Sequence, residues 1–389
     1  MQDDPLVYTI FLIFSGAAVV ATLALYARQA LLIAYIVLGV LFGPSVAGLV
    51  DDPDLIQDIA HVGIIFLLFL MGLELNPKEL LHLLSKTTAV TLISSLMFWG
   101  VGAVVALIAG FDLGESALVG AAMLFSSTII GLKLLPATVL HHQRTGEIII
   151  SILLLQDLIA ILLLLVIEGS GEESQALLEV LKLMAALPLL VAAAVLVVRY
   201  LLLRFLRAFD TIHEYIFLLS IGWCLGMAEA AEALGLSYEI GAFIAGVTLA
   251  TNPISLYMAE NLKPLRDFFL VMFFFSLGAS FDLSMIGAVI LPALVLVALM
   301  MLAKPVVYYQ LLKNSGESPQ RSREIGIRLA QMSEFSLLIA VLATEKELIS
   351  SQASYLIQLA TVLSFLVSTY LVVLRYPTPI ALSDKLRRD

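Results

Sequence analysis

The sequence has few of the charged residues that a soluble enzyme displays to water. Only 13% of its 389 residues are charged, whereas 61% are hydrophobic, and the mean hydropathy is +1.04. Long apolar runs separated by short polar connections are typical of chains that cross a bilayer several times. The composition therefore predicts an all-α polytopic membrane protein embedded in a lipid bilayer. It argues against an enzyme and against nucleic acid as a partner.

Cysteine is almost absent, since Cys224 is the single one in the sequence. One cysteine excludes a disulfide framework and a cysteine-based metal site within the chain. The glycine-rich GxGxxG pattern of nucleotide-binding folds is also missing. We therefore expect no cofactor.

Apolar windows long enough to span a bilayer predict thirteen transmembrane helices. They cover approximately residues 6–27, 29–49, 58–75, 87–110, 116–137, 146–167, 177–201, 213–231, 237–251, 264–281, 284–310, 323–344 and 352–374.

The distribution of charge predicts the orientation of these spans. Most of the 21 Lys and Arg residues fall in alternate connections, among them Arg204, Arg207, Arg321, Arg323 and Arg328, while acidic residues collect on the opposite side. Cytoplasmic connections are the ones enriched in Lys and Arg. We therefore expect a multi-pass protein of the inner (cell) membrane with its N-terminus outside and its C-terminus in the cytoplasm.

The two halves of the chain contain an internal repeat. The segment Phe66 to Leu80 is echoed by Phe273 to Ile286, which aligns Gly72 with Gly278 at an offset of 206 residues. Equivalent spans of the two halves cross in opposite directions, so the halves are inverted repeats, as in many secondary transporters. Such folds place discontinuous helices near the midplane, and the fifth and twelfth spans are the candidates for two crossed, discontinuous helices.

An acidic residue lies in the middle of the sixth span. Asp157, beside Gln156, interrupts an apolar run, and an Asp at a helix centre costs roughly 2.5–3.5 kcal/mol even on lenient insertion scales. Intramembrane ionisable groups usually mark an ion or proton pathway. The structural alternative is that Asp157 only joins two helices through a hydrogen bond.

Further polar groups lie in the spans predicted to be discontinuous and in the eleventh span. The fifth span contains Ser126, Ser127 and Thr128, whose hydroxyls either satisfy unwound backbone or bond ordinary helix carbonyls. Glu334 in the twelfth span and Lys304 in the eleventh complete the set. A buried ammonium requires an anionic partner, for which Asp157 and Glu334 are the candidates.

These groups predict a site that holds either a proton or a monovalent cation. Burial favours the protonated form of Asp157, whereas a neighbouring ammonium favours the carboxylate, so a metal cation can compete with the proton. Ser126, Ser127, Thr128 and Gln156 would supply the neutral oxygens that suit Na⁺ or K⁺. Competition for one carboxylate would couple the two fluxes.

Several motifs together resemble one transporter family. GLELNP at Gly72 to Pro77, FSSTII at Phe125 to Ile130, LLLQDLIAI at Leu153 to Ile161, GAFIAG at Gly241 to Gly246 and SEFSL at Ser333 to Leu337 look like the transmembrane domain of the monovalent cation:proton antiporter-2 (CPA2) family. The Gln-Asp pair makes the Kef-type potassium/proton antiporters the most similar branch.

The resemblance implies a sodium/proton-antiporter-like fold over residues 1–375, followed by a short basic cytoplasmic tail at 376–389. It implies a homodimer held through about 6–75 and 213–281, a linker helix at 177–201, and an ion-translocating core at about 87–167 and 284–374 that moves like an elevator. The ion-binding acid would be Asp157, the buried lysine Lys304, and the twelfth-span acid Glu334. Kef-type chains continue into a cytosolic nucleotide-binding domain, so two alternatives stay open: a regulatory domain or subunit outside this sequence is a partner, or the protein lacks that control.

The sequence thus predicts cation/proton antiport, with K⁺ favoured over Na⁺. Channel-like K⁺ efflux through the same site and sodium-coupled symport of an organic anion are the transport alternatives. An intramembrane aspartyl protease would need two facing Asp residues. Asp157 is the one Asp deep in a predicted span, which argues against this class of enzyme.

Overall fold

A computed structural model describes residues 5–50, 53–74, 77–135, 144–168, 176–209, 212–250, 252, 254–281 and 283–378. Its regular elements are helices, with no strand among the described residues. The α-helices are α1 (Pro5–Tyr26), α2 (Leu31–Phe42), α3 (Pro53–Glu74), α4 (Pro77–Ile108), α5 (Leu113–Ala122), α6 (Thr128–Lys133), α7 (Arg144–Glu168), α8 (Ala176–Val197), α9 (Leu203–Ala208), α10 (His213–Glu232), α11 (Tyr238–Ala250), α12 (Ile254–Ala279), α13 (Ile286–Asn314), α14 (Pro319–Arg328), α15 (Glu334–Glu345) and α16 (Ser351–Val373). A π-helical turn at Val198–Leu202 joins α8 to α9, and a 3₁₀ turn at Leu283–Met285 precedes α13.

Seven helices of the described chain are long and apolar enough to cross a membrane, and four shorter apolar helices accompany them. This confirms a helical chain built for a bilayer. The count of thirteen spans stays a prediction, because several predicted spans correspond to short or interrupted helices. The predicted basic tail at 376–389 lies mostly outside the described residues.

The chain divides into two compact units. Unit 1 contains Met1–Phe14, Leu38–His82 and Leu165–Ser280, and unit 2 contains Ser15–Val37, Leu83–Leu164 and Phe281–Asp389. The core predicted from the resemblance, at about 87–167 and 284–374, corresponds approximately to two segments of unit 2, Leu83–Leu164 and Phe281–Asp389. The roles of dimerisation part and moving core stay predictions.

Helix packing within unit 1 depends on glycines of the repeated motifs. A Cβ added to Gly39 of α2 would lie 2.9 Å from the Cα of Gly278 on α12, and one added to Gly72 of α3 would lie 3.0 Å from the Cα of Gly246 on α11. Residues without a side chain at these points let the backbones approach closely. Gly72 and Gly278, which align in the repeat, therefore both serve close helix contacts.

Unit 2 contains two interrupted helices at the positions where the sequence predicts discontinuity. Residues 123–127, the first break, separate α5 from α6, and residues 329–333, the second break, separate α14 from α15. Side chains cap the helix that follows each break. The Ser127 hydroxyl accepts a hydrogen bond from the Ile130 amide of α6 at 3.0 Å, and Ser333 forms a capping box with Ser336 at the start of α15. These caps satisfy amides that an uninterrupted helix would pair internally.

Candidate functional site

Asp157 lies on α7 and is only 1% exposed. The Thr128 hydroxyl, at the first residue of α6, donates toward its carboxyl and lies 3.2 Å from both Oδ1 and Oδ2. None of the described Lys, Arg or His side chains forms an ion pair with it. The structure thus gives this acid a neutral hydrogen-bond donor and no counter-charge from the described chain.

Gln156 holds the first break in place. Its Oε1 accepts from the Ser126 amide at 3.0 Å, and its Nε2 donates to the Leu124 carbonyl at 3.1 Å and to the Tyr308 hydroxyl at 2.9 Å. The side chain is fully buried. Gln156 was predicted as an ion ligand, but its geometry is that of a bracket for unwound backbone.

Lys304 joins the two breaks. Its fully buried ammonium donates to the Phe125 carbonyl, to the Ser126 hydroxyl at 3.3 Å and to the Gln331 carbonyl at 3.0 Å. It also lies 5.4 Å from the centre of the Phe98 ring, within range of a cation–π contact. Helix α13 runs on through Pro305 without interruption.

The partner expected for Lys304 is therefore corrected. The sequence reasoning expected Asp157 or Glu334, whereas neither carboxyl is among the hydrogen-bond acceptors of Lys304 in the described chain. Its three acceptors belong to the breaks that follow α5 and α14. Carbonyl oxygens of unwound backbone carry partial negative charge, so the two breaks take the place of a carboxylate.

Glu334 is the first residue of α15 and is 4% exposed. An acid in the first turn interacts favourably with the positive end of its helix. Its carboxyl is also near enough to Asp157 for the two acids to interact electrostatically. Glu334 is not among the three hydrogen-bond acceptors of Lys304, and the predicted charge pairing of these two residues stays a prediction.

The two breaks are also bonded directly to each other. The Ser126 hydroxyl donates to the Leu329 carbonyl at 2.9 Å, and the Ser127 amide donates to the Met332 carbonyl at 2.9 Å. Of the three predicted hydroxyls, Thr128 reaches Asp157, Ser126 donates to backbone of the second break, and Ser127 caps α6 by accepting from the Ile130 amide. All three hydroxyls therefore lie at one locus, but with different tasks.

Two residues of this locus were not among the predicted site residues. Tyr308 lies one helical turn after Lys304 on α13, a spacing that could have indicated a shared face. Gln331 is fully buried in the second break.

Arg328 was counted with the cytoplasmic bases, yet it is 2% exposed. Its guanidinium donates to Glu324 at 2.9 Å, to the Leu134 carbonyl at 3.1 Å and to the Pro377 carbonyl at 3.0 Å.

Comparison with known proteins identifies relatives of the whole chain. The family model described as "Sodium/hydrogen exchanger, transmembrane" matches residues 11–374. K(+) efflux antiporter 4 of Arabidopsis thaliana is 29% identical over 368 residues, which is 93% of this chain and 62% of that protein. Iron transporter MagA of Paramagnetospirillum magneticum is 29% identical over 355 residues, 88% of this chain and 79% of that protein.

Among solved structures, the sodium proton antiporter MjNhaP1 from Methanocaldococcus jannaschii superposes with a TM-score of 0.69. The match covers 95% of this chain and 96% of that one at 17% identity, and it shows a shared fold.

Proposed function

Because the chain belongs to the sodium/hydrogen exchanger family, we propose that it exchanges a monovalent cation for protons across a membrane. The family match and the K⁺ efflux relatives confirm the resemblance to CPA2 transporters and exclude an enzyme. The chain spans 62% of the length of the first of these relatives. The identity of the exchanged ions, the transport mechanism and the oligomeric assembly are therefore proposals for this chain.

The observation that carries the proposal is that Asp157 is buried with a hydroxyl donor and without a counter-charge from the described chain. An isolated carboxylate in an apolar interior is costly, so the acid must carry a proton or bind a cation. Since the described chain supplies a hydroxyl and no counter-charge, one positive guest neutralises the site at a time. Binding of the cation then requires release of the proton, and this competition couples the two fluxes.

The surrounding residues keep the site in shape through this exchange. Lys304 stays on the carbonyl ends of the two breaks, so its charge is neutralised without Asp157. We infer that α5–α6 and α14–α15 cross at their breaks and that unit 2 moves as one body, in an elevator-like alternation. Unit 1, which contains most of 6–75 and 213–281, would form the homodimer contact.

K⁺ is the proposed cation in preference to Na⁺. Three similar proteins are named K⁺ efflux antiporters, and the Gln-Asp pair at 156 and 157 resembles the motif of the Kef-type branch. MjNhaP1 is named a sodium proton antiporter, but at 17% identity it supports the fold and not the ion. The N-terminus outside and C-terminus in the cytoplasm of the inner membrane complete the proposal.

Reconstitution into liposomes with an internal pH dye tests the exchange. Outward gradients of K⁺, Na⁺ or choline are imposed in turn, with and without a protonophore. Antiport changes internal pH without the protonophore and without any organic anion. A channel for K⁺ would change pH only when the protonophore is present, and absence of proton movement under every gradient would contradict the proposal.

A further inference from the structure

The second break has side-chain partners of its own on the last helix. The Met332 amide donates to the Ser364 hydroxyl at 3.0 Å, and the Ser368 hydroxyl donates to Oε1 of Gln331 at 2.9 Å. Ser364 and Ser368 are four residues apart on α16, so they lie on one face of it, and both are fully buried. A face of hydroxyls therefore backs the unwound segment.

The two ends of the Gln331 carboxamide have different partners. Oε1 accepts from the Ser368 hydroxyl, and Nε2 lies 3.4 Å from the Ser127 carbonyl and donates to it. The Ser127 carbonyl only accepts, so reversing the carboxamide would lose this bond and place two acceptor oxygens against each other. Gln331 thus connects α16 to the first break.

Ser127, which Gln331 contacts, is the residue next to Thr128 of the ion site. Ser127 caps α6, and the next residue, Thr128, is the donor to Asp157. Helix α6 has six residues, so its first turn depends on how Ser127 is held. Gln331 itself makes no contact with Asp157 among its hydrogen bonds and acts through this segment.

The arrangement repeats what Gln156 does for the first break. Gln156 accepts from the Ser126 amide, and Ser364 accepts from the Met332 amide, and these two amides are 206 residues apart, the same offset that relates Gly72 to Gly278. Each break is therefore held by a side chain of the full-length helix that follows it. In the first repeat that helix also carries the acid, whereas in the second it contributes hydroxyls.

We propose that Gln331, anchored by Ser368, is a positioning residue for cation exchange that keeps Thr128 on Asp157. The proposal rests on the proposed function. Removing the Ser368 hydroxyl leaves Oε1 of Gln331 buried without its donor, so the side chain loses its anchor on α16 and its hold on Ser127 weakens. The Thr128 hydroxyl is then no longer held against Asp157 when a cation binds.

Proteoliposome exchange kinetics of Ser368→Ala test this. We expect the apparent KM for K⁺ to rise about tenfold, in line with the loss of one buried hydrogen bond, while the maximal rate stays within about twofold. The pH profile should move to higher pH, because a carboxyl that loses a hydrogen-bond donor holds its proton more tightly. Ser368→Thr, which keeps the hydroxyl, should restore both values.

Thr369→Val is the matched control, because the Thr369 hydroxyl is equally buried on α16 and donates to the Phe365 carbonyl of its own helix at 2.8 Å. If Ser368→Ala does not fold, Gln331→Met gives the same readout, since it keeps the length of the side chain and loses the amide donor to Ser127.

An unchanged KM and pH profile in the folded variant, with the parent protein active, would overturn the positioning role. Absence of exchange in the parent protein would overturn the proposed function instead.

Discussion

Replacing Gln156 by Leu should destabilise unit 2 by about 2 kcal/mol. The substitution removes the partners of two backbone groups, the Ser126 amide and the Leu124 carbonyl, in a fully buried site. An unsatisfied buried group costs about 1–3 kcal/mol, so the two together cost about 4 kcal/mol. The apolar side chain in the same volume recovers about 2 kcal/mol.

Gln358→Leu is the matched control. Gln358 is also buried, on α16, but its amide donates only to another side chain, the Ser354 hydroxyl at 3.1 Å, and leaves no backbone group unpaired. The apolar gain should then balance the lost bond. We therefore expect the free energy of unfolding of this variant to stay within about 1 kcal/mol of the parent value.

The two tryptophans allow each unit to be followed separately. The indole of Trp99 in unit 2 donates to the Ala117 carbonyl at 3.0 Å, and that of Trp223 in unit 1 donates to the Ala245 carbonyl at 3.1 Å. Thermal unfolding in detergent is recorded by fluorescence in Trp223→Phe and Trp99→Phe backgrounds.

For Gln156→Leu, a loss of about 2 kcal/mol corresponds to a decrease of about 4–8 °C in the Tm of the Trp99 signal. An equal decrease in Gln358→Leu, or a decrease confined to the Trp223 signal, would refute the role of Gln156 as a bracket.

Two further predictions concern the periphery. Burial raises the pKa of Glu317, but hydrogen bonds and charges from Arg321 and Arg144 outweigh burial and hold this pKa below its ordinary value. Such a carboxyl stabilises the fold above its unfolded-state pKa of about 4.3, and the effect is lost as pH falls through the folded value. Glu317→Gln should therefore have a lower Tm than the parent at neutral pH, with the two curves converging in acid; parallel curves would contradict this. Gly39→Ala should lower the Tm of the Trp223 signal, because its Cβ would lie 2.8 Å from the Ala279 amide nitrogen, whereas Gly226→Ala, with open space around it, should not; equal Tm values would disprove the close packing of α2 on α12.

The positions of the helix breaks could be read from the sequence because they depend on local chemistry. Hydroxyls at 126–128 and at 333 interrupt otherwise apolar spans, and the repeat places them at equivalent positions. A Ser at a helix start satisfies backbone amides, and this preference is visible in sequence.

The partners of the buried groups could not be read in the same way. Lys304 was expected to need an acid because sequence shows side-chain charges but not where helix ends point. Once the two helices are interrupted, carbonyls of the unwound breaks supply the partial negative charge. Gln156 was interpreted as an ion ligand because the sequence does not show which backbone groups the break exposes. In the structure its amide bonds two of them, the Ser126 amide and the Leu124 carbonyl.

Arg328 shows the limit of counting charges by location. It was counted with the cytoplasmic bases, together with Arg321 and Arg323. In the structure it lies at the last turn of the interrupted helix α14, where carbonyls of Leu134 and Pro377 and the acid Glu324 satisfy its guanidinium. A base can be buried where ends of several chain segments converge, and only the fold reveals such convergence.

Exchange by Asp157→Asn, compared with Asp112→Asn, tests the account most directly. Asn at 157 keeps the size of the side chain and an oxygen for Thr128 but cannot hold the exchanged charge. Asp112 caps α5 by accepting from the Glu115 amide at 2.8 Å, and Asn caps equally well. In proteoliposomes under a K⁺ gradient, we expect parent rates from Asp112→Asn and no cation-driven pH change from a folded Asp157→Asn. Persistent exchange after neutralisation of Asp157 would contradict the shared-carrier mechanism.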